Sequence, residues 1–212
     1  MRNSKRLMTS AILILRSSGK LARSGAVFIA LLGASCASSP VAPFKEKFSA
    51  AAIVGTHHMS SDFNIMDFYV NDHSGGNVGR EGGGGSLLCC VMLPWRWRPD
   101  LTVEVRWVVG DWSKEVPSKS AAGDYSSIAV DGIYLAKVPV EPYDETGNLH
   151  VHFFSGGKVR VVTSNAGSWS PYHPIVRNDP SAIYKATQGK QISKIYTDTE
   201  REEIYKKFQE ER

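Results

Sequence analysis

Residues 68–112 read FYVNDHSGGNVGREGGGGSLLCCVMLPWRWRPDLTVEVRWVVGDW, and this stretch decides the fold class. Apolar and polar residues alternate along 101–109, which predicts a strand with one buried and one solvent-facing side. Residues 66–70 alternate in the same way and predict a second strand. Residues 87–93 are an unbroken apolar run between glycine and proline, which favours a central strand buried on both faces. The whole stretch is therefore expected to form sheet.

Residues typical of turns separate the predicted strands, both within this stretch and in the part of the chain that follows it. Residues 71–77 and the glycine run 82–85 are rich in residues that turn the chain or tolerate positive φ. The Asp-Gly pair at 131–132 lies between two apolar arms and predicts a tight hairpin. The glycines within 155–157 predict a second hairpin.

One segment, 199–210, has the pattern of a helix. Thr199 is its predicted cap, and Ile204, Tyr205 and Phe208 give it an apolar face. The predicted fold is therefore mostly β: a sandwich or partly open barrel of about seven or eight strands with a C-terminal helix.

The N-terminal segment has the pattern of a lipoprotein signal peptide. Residues 1–23 carry basic but no acidic side chains, and the apolar run 24–32 is too short to span a bilayer. Small residues then precede Cys36, which would become the mature N-terminus and carry acyl chains such as palmitate. The sequence predicts a signal peptide at 1–35, a lipidated tether at 36–50 and one mostly-β domain at 51–212.

Ordinary secretion without lipidation is the alternative interpretation of this segment. Ala37, rather than an aspartate, follows the cysteine, which favours an outer-membrane lipid anchor with the domain facing the periplasm. Nothing upstream of Met8 is needed for the signal, so both Met1 and Met8 are candidate starts.

The predicted cleavage changes the sign of the net charge. The chain has 25 basic and 21 acidic residues, and the six basic residues that precede Cys36 leave 19 basic against 21 acidic. The mature chain therefore gives no reason to predict nucleic-acid binding, and its membrane contact is expected through the lipid anchor.

Residues 94–100 (PWRWRPD) are predicted to form a corner in which tryptophan and arginine alternate. The corner is either a tryptophan lid that closes one end of the fold or an edge that binds a protein partner. The glycine clusters are likewise either packed or flexible loops or partner contacts. The partner-binding hypothesis assigns Trp95, Arg96, Trp97, Arg98, Gly75, Gly76 and Asn77. Under this hypothesis, Trp97→Ala weakens partner binding without unfolding the domain.

Cys89 and Cys90 are adjacent in a chain that is expected to enter an oxidising compartment. Two buried reduced thiols are the favoured interpretation, because one peptide unit is shorter than the usual Cα separation of a disulfide. A vicinal disulfide and a metal or redox role are the alternatives.

His150 and His152 are two residues apart on a predicted strand, so their side chains share one face. A partly exposed histidine face is favoured over a metal site, since no third ligand lies nearby in the sequence. The other histidines can join them only through the fold; they are His57, His58, His73 and His173. We therefore predict no metal, no cofactor and no small-molecule substrate.

The motifs of hydrolytic enzymes are missing from the sequence. The chain has no Gly-x-Ser-x-Gly elbow, and its carboxylate pairs lie in settings that favour solvated side chains. The protein is therefore predicted not to be an enzyme.

The chain resembles a family of small proteobacterial lipoproteins that is described only as a domain of unknown function. The resemblance rests on several separate motifs that occur in the same order. The resemblance covers roughly residues 50–165. Its motifs are Tyr69-Val70-Asn71, Gly75-Gly76-Asn77, the glycine run, Cys89-Cys90-Val91, Pro94, Trp97-Arg98-Pro99, and Leu101-Thr102-Val103 leading to Trp107.

The resemblance implies a function by association. Members of this family occur beside type VI secretion phospholipase effectors and are thought to serve as their immunity partners. The resemblance therefore implies a lipid-anchored immunity protein that binds and neutralises a phospholipase effector. A structural or assembly lipoprotein of the envelope, without a toxin partner, is the alternative.

Overall fold

The structure is a computed structural model and describes residues 46–83 and 88–210. The predicted signal peptide, Cys36 and most of the tether lie outside these residues, as do residues 84–87 of the glycine run and its flank. The first strand begins at Phe48, so the last three residues of the predicted tether belong to the folded domain.

The described residues form ten strands, two α-helices and one 3₁₀ helix. In chain order they are β1 (Phe48–His57), β2 (Phe63–Val70), β3 (His73–Val78), β4 (Leu88–Pro94), β5 (Thr102–Asp111), α1 (Pro117–Ala121), β6 (Ala129–Pro139), β7 (Asn148–Phe154), β8 (Lys158–Ser164), the 3₁₀ helix (Pro180–Lys185), β9 (Thr187–Gln188), β10 (Lys190–Gln191) and α2 (Asp198–Glu210).

Two open five-stranded sheets are formed by the described strands. The first sheet has the order β4-β1-β7-β8-β9 and the second β10-β6-β5-β2-β3. Strands β1 and β7 pair in parallel, and the other paired strands are antiparallel. The prediction of a mostly β, sandwich-like fold with a C-terminal helix is confirmed, and eight of the described strands are six residues or longer.

The main core is built from the alternating apolar positions of both sheets. Phe68, Trp107 and Phe153 are fully buried, and the ring centroid of Phe153 lies 5.1 Å from that of Phe68 and 5.7 Å from that of Trp107. Burying one large apolar side chain of this kind contributes about 1.5–3 kcal/mol, so these rings join the two sheets.

The predicted C-terminal helix is confirmed as α2, but its cap lies two residues before Thr199. The Thr197 hydroxyl accepts a hydrogen bond from the Glu200 amide (3.2 Å), and the Thr197 amide donates to the Glu200 carboxylate (2.7 Å). Arg106 of β5 also donates to this carboxylate at 2.9 Å, and that hydrogen bond lowers the pKa of Glu200 to about 2. Helix α2 is thereby fixed to the second sheet. Among the described residues, no helix is long and apolar enough to cross a bilayer.

The predicted hairpin at 131–132 is wrong. Both residues lie inside the continuous strand β6, which pairs with β5 along its length. The register shifts there, since Val109 faces Gly132 whereas Gly110 faces Val130. Asp131 is therefore the extra residue of a β-bulge, and the Asp-Gly pair bends a strand instead of reversing the chain.

The predicted central strand at 87–93 is also wrong in its position. Strand β4 lies at the edge of the first sheet, where Val91 and Leu93 are buried while Cys89 and Met92 are exposed. Its unbroken apolar run arises because the solvent-facing positions are apolar too. The turn predicted over 71–77 is confined to Asn71 and Asp72, whose φ angles are 47° and 69°.

Residues 165–186 cover the outer face of the first sheet. Ile175 and Ala182 of this covering segment pack against Phe154 of β7 and Val162 of β8 and form a second, smaller core. Strands β7 and β8 are therefore buried on both faces.

Candidate functional site

The corner between β4 and β5 separates its two tryptophans into different environments. Trp97 is half-buried and packs against the main core, and its indole N–H donates to the Val140 carbonyl at 2.7 Å. The lid interpretation therefore fits Trp97. This tryptophan anchors the corner to the start of the β6–β7 connection.

Trp95 points outward from the same corner and is 54% exposed. Its backbone amide donates to the Lys47 carbonyl at 2.8 Å, and the Lys47 ammonium lies 5.1 Å from the centroid of the ring. Phe48 and Met92 are also exposed on the paired strands β1 and β4. These three side chains, Phe48, Met92 and Trp95, are called the edge patch below.

The two arginines of the corner border the edge patch. Arg96 is exposed and lines a cleft together with Trp95, Asp144 and Glu145. Arg98 forms ion pairs with Glu46 and Asp100, both at 3.4 Å. Because these pairs are exposed, each contributes little to stability, and the charges remain available to a partner.

The predicted partner-binding residues at 75–77 lie on strand β3. Gly75 is buried, Gly76 is half-buried with a φ of 76°, and Asn77 is exposed. Among the hydrogen bonds, ion pairs and ring contacts of the described residues, none joins them to the corner at 94–98. The structure thus does not assemble the two predicted groups into one site by direct contact.

Gly75 has a packing role, which leads to a testable prediction. A Cβ atom on Gly75 would overlap with ring carbons of the fully buried Phe68. We expect Gly75→Ala to lower the free energy of unfolding by about 1–3 kcal/mol in urea titrations, because the core has to repack. Gly167→Ala is the matched control, since a Cβ there meets nothing within 4 Å. Equal stability of both variants would contradict this role.

The beginning of the glycine run is tightly packed. Gly82, with a φ of 82°, accepts a hydrogen bond from the His57 amide at 3.0 Å. A Cβ on Gly83 would lie 3.5 Å from the indole nitrogen of Trp169. These two glycines therefore agree with the packed-loop interpretation.

Cys89 and Cys90 form a vicinal disulfide. The favoured interpretation, two buried reduced thiols, is therefore wrong. The two cysteines are oxidised, and neither is buried, since Cys89 is exposed and Cys90 is half-buried. The bond lies on the outer edge of the first sheet.

A buried histidine cluster lies between the first sheet and its covering segment. His150 and His152 project from the outer face of β7, His58 follows β1, and His173 belongs to the covering segment. His150, His152 and His173 are only 2%, 0% and 3% exposed. The expected partly exposed histidine face is therefore wrong, because residues 165–186 exclude solvent from it.

Hydrogen bonds define which ring nitrogens of the cluster carry protons. His173 Nδ1 lies 2.9 Å from the Ala166 carbonyl, which can only accept, so His173 carries its proton on Nδ1. His173 Nε2 then accepts from His152 Nε2 at 3.0 Å, and His152 Nδ1 accepts from His58 Nε2 at 2.8 Å. The three neutral rings thus form one directed chain of hydrogen bonds.

His150 is held by a separate set of contacts beside this chain. Its Nε2 donates to the Ser164 carbonyl at 3.2 Å, and its Nδ1 accepts from the Ser168 hydroxyl at 3.3 Å. Ser168 in turn accepts from the Thr56 hydroxyl at 2.7 Å. The Nδ1 lone pair of His150 therefore points towards Ser168.

Burial keeps these imidazoles neutral. Desolvation lowers the pKa of His58 and of His150 to about 4, and it lowers the pKa of His152 well below its usual value. It also lowers the pKa of His57 and of His173. The cluster is thus uncharged at neutral pH, which is the form in which histidine binds metals.

The region that contains most of these residues matches a known protein family. Residues 58–161 match the family described as protein of unknown function (DUF3304). No curated protein and no solved structure matches the chain. The predicted resemblance to a domain of unknown function is confirmed to this extent.

The region that matches this family does not contain the whole histidine cluster. His58, His150 and His152 lie within the matched region, whereas His173 follows it. Sequence reasoning found the His150-x-His152 pair but had no signal for His173, because an irregular segment brings it to the sheet.

Two clefts border the histidine cluster, one beside His58 and the other beside His150. A cleft of about 290 Å³ is lined by His58, Phe154 and Arg177, among others. A second cleft of about 310 Å³ is lined by His150, Ser168 and Trp169, among others. Small solutes can therefore approach the outermost histidines while the rings between them stay enclosed.

Proposed function

We propose that this protein is a lipid-anchored periplasmic binding protein that binds and neutralises a type VI secretion phospholipase effector. The observation that carries the binding role is the exposure of Trp95 on a corner that Trp97 anchors to the core. The class of partner comes from the family resemblance described for the sequence.

The composition of the edge patch supports a protein partner. It combines a tryptophan, a phenylalanine and a methionine, bordered by arginines, and these residue types are enriched in protein interfaces. An exposed group of large apolar side chains on an edge strand is otherwise a liability for a soluble domain. A bound protein would cover it.

The position of the patch in the chain suits a target that acts at a membrane. Lys47, which contacts Trp95, follows the predicted lipid attachment point Cys36 by only eleven positions. Even fully extended, they span at most about 40 Å. An inhibitor tethered in this way remains where a phospholipase meets its substrate.

The structure shows that Trp95, rather than Trp97, is the residue to substitute in a test of the proposal. Trp97→Ala is expected to destabilise the domain, because Trp97 packs against the core and donates a partly buried hydrogen bond. Trp95→Ala removes an exposed ring instead. We expect it to weaken binding of the phospholipase by roughly 30-fold, the size of an interface hot spot of about 2 kcal/mol, without changing the thermal midpoint.

The measurement is the dissociation constant for a phospholipase captured by residues 37–212 from lysate of the source cells and then purified. Tyr184→Ala is the matched control, since Tyr184 is an aromatic residue that is 84% exposed outside the edge patch. Normal affinity of Trp95→Ala would exclude the edge patch as the binding surface.

The alternative, a structural or assembly lipoprotein, makes a different prediction. Deleting such a protein disturbs the envelope even in cells that lack every phospholipase effector. Deleting an immunity protein harms only cells that meet the effector.

A further inference from the structure

We infer that His150, His152 and His173 form a binding site for a divalent transition-metal ion of the zinc type. The inference departs from the sequence-based expectation that no residue binds a metal. It is independent of the proposed phospholipase partner, because the cluster lies under the covering segment and not on the edge patch.

The spacing of the three rings fits a shared ion. Each histidine offers a ring nitrogen, and these atoms all lie within 4.8 Å of one another. Two histidine ligands of a tetrahedral zinc ion are about 3.4 Å apart, compared with the 3.0 Å between His152 Nε2 and His173 Nε2. The ion would separate this pair slightly and draw His150 towards it.

The groups behind the three rings are those that metal-binding histidines require. A metal-ligating histidine donates its other N–H to a carbonyl, a carboxylate or another acceptor, which fixes the ring and its tautomer. His150 Nε2 donates to the Ser164 carbonyl, and His173 Nδ1 donates to the Ala166 carbonyl. His150 Nδ1 and His173 Nε2 therefore carry no proton and can bind a metal once their present donors, Ser168 and His152, give way to the ion.

The third ligand, His152, needs a change of tautomer. In the hydrogen-bonded chain its Nε2 carries the proton and its Nδ1 accepts from His58. When Nε2 binds the ion, the proton of His152 moves to Nδ1 and is donated to His58 Nε2. The proton of His58 then moves to its own Nδ1, so every ring stays neutral and no proton is released.

His58 is therefore a positioning residue for the site. It contacts His152 rather than the ion, and it also lines the cleft of about 290 Å³. The cleft gives His58 the contact with solvent that its proton exchange requires.

The fourth coordination position is expected to hold water. In the metal-free cluster the Ser168 hydroxyl lies in the lone-pair direction of His150 Nδ1, so it has to turn aside when the ion binds; it also lines the cleft of about 310 Å³. A water ligand at this point can hydrogen-bond to Ser168, which is already held by Thr56. Three neutral imidazoles and a water suit Zn²⁺ and Co²⁺, whereas Mg²⁺ and Ca²⁺ prefer oxygen ligands.

The test is a calorimetric titration of ZnCl₂ into the full chain, purified in detergent and stripped with a chelator. We expect one zinc ion per chain, and Co²⁺ in its place should give the intense visible bands of a four-coordinate ion. Absence of saturable one-to-one binding to the folded wild-type chain overturns the inference and leaves the cluster as a hydrogen-bonded network.

Variants distinguish this site from adventitious binding. His173→Gln and His150→Gln should each abolish the Co²⁺ bands, and circular dichroism verifies that the fold is retained. His58→Leu should keep the stoichiometry but weaken zinc binding by about 10–100-fold, because His152 Nδ1–H then has no acceptor behind the ligands. His73→Gln is the matched control, because His73 lies on β3 outside the cluster. Unchanged zinc binding by both folded ligand variants would also overturn the inference.

Discussion

Acidification from pH 6.5 to pH 4 is expected to unfold the metal-free domain. The histidine cluster is the reason, because burial lowers the pKa of His58 and of His150 to about 4. In this window the unfolded chain binds more protons than the folded one, so stability is complete above pH 6.5 and is lost as the pH falls. Each such histidine contributes about 1.4 kcal/mol per pH unit, and two of them lose on the order of 5 kcal/mol over two units. This loss is comparable with the whole stability of a typical domain.

Urea titrations between pH 7.5 and pH 4 in the presence of a chelator measure this effect. The slope of the free energy of unfolding against pH gives the number of protons taken up on unfolding. His58→Gln is the control, because the amide can still donate to His152 but does not titrate, so proton uptake should decrease by about one. Constant stability across this range would show that the cluster is not buried in solution.

Glu141→Gln is expected to reduce the free energy of unfolding by roughly 3 kcal/mol. Its carboxylate accepts two hydrogen bonds from Arg160, at 2.6 Å and 2.9 Å, and the Arg160 side chain is only 7% exposed. Arg160 also donates to the Ala182 carbonyl at 3.0 Å, which joins β8 to the covering segment. Removing the acid leaves a buried cation without its counter-ion, and this loss exceeds the value of the pair itself.

The double variant Glu141→Gln/Arg160→Met tests this explanation. It removes the unpaired charge together with its partner, so most of the lost stability should return. Glu46→Gln is the surface control, because its pair with Arg98 is exposed and should contribute less than about 1 kcal/mol. If the double variant is as unstable as Glu141→Gln, the buried charge is not the cause.

The sequence predicted the fold class because local alternation reports which face of a strand is buried. The strand predicted from the alternation over 101–109 is β5, and the strand predicted from the alternation over 66–70 is the end of β2. The C-terminal helix was predicted within one residue because its polar and apolar positions follow the helical period.

The histidine cluster was beyond local reasoning, because an irregular segment hides it. His150 and His152 alternate with apolar residues, and a histidine at such a position normally faces solvent. Residues 165–186 have no periodic pattern from which their path over the sheet could be predicted. Local patterns also give no sign of the pair between Glu141 and Arg160, whose guanidinium reaches the same segment through the Ala182 carbonyl.

The aromatic corner was located correctly, but its two tryptophans could not be distinguished. Trp95 and Trp97 have similar neighbours in the sequence, and only the tertiary contact with Val140 makes one an anchor and leaves the other exposed. The Asp-Gly pair at 131–132 is a similar case, since a bulge and a turn both favour a glycine.

Inhibition of the captured phospholipase on phospholipid vesicles tests the proposed function most directly. With increasing amounts of residues 37–212, hydrolysis should fall to zero at one inhibitor per enzyme, and Trp95→Ala should require a large excess while Tyr184→Ala behaves as the wild type. Full hydrolysis in the presence of excess wild-type domain would contradict the immunity role.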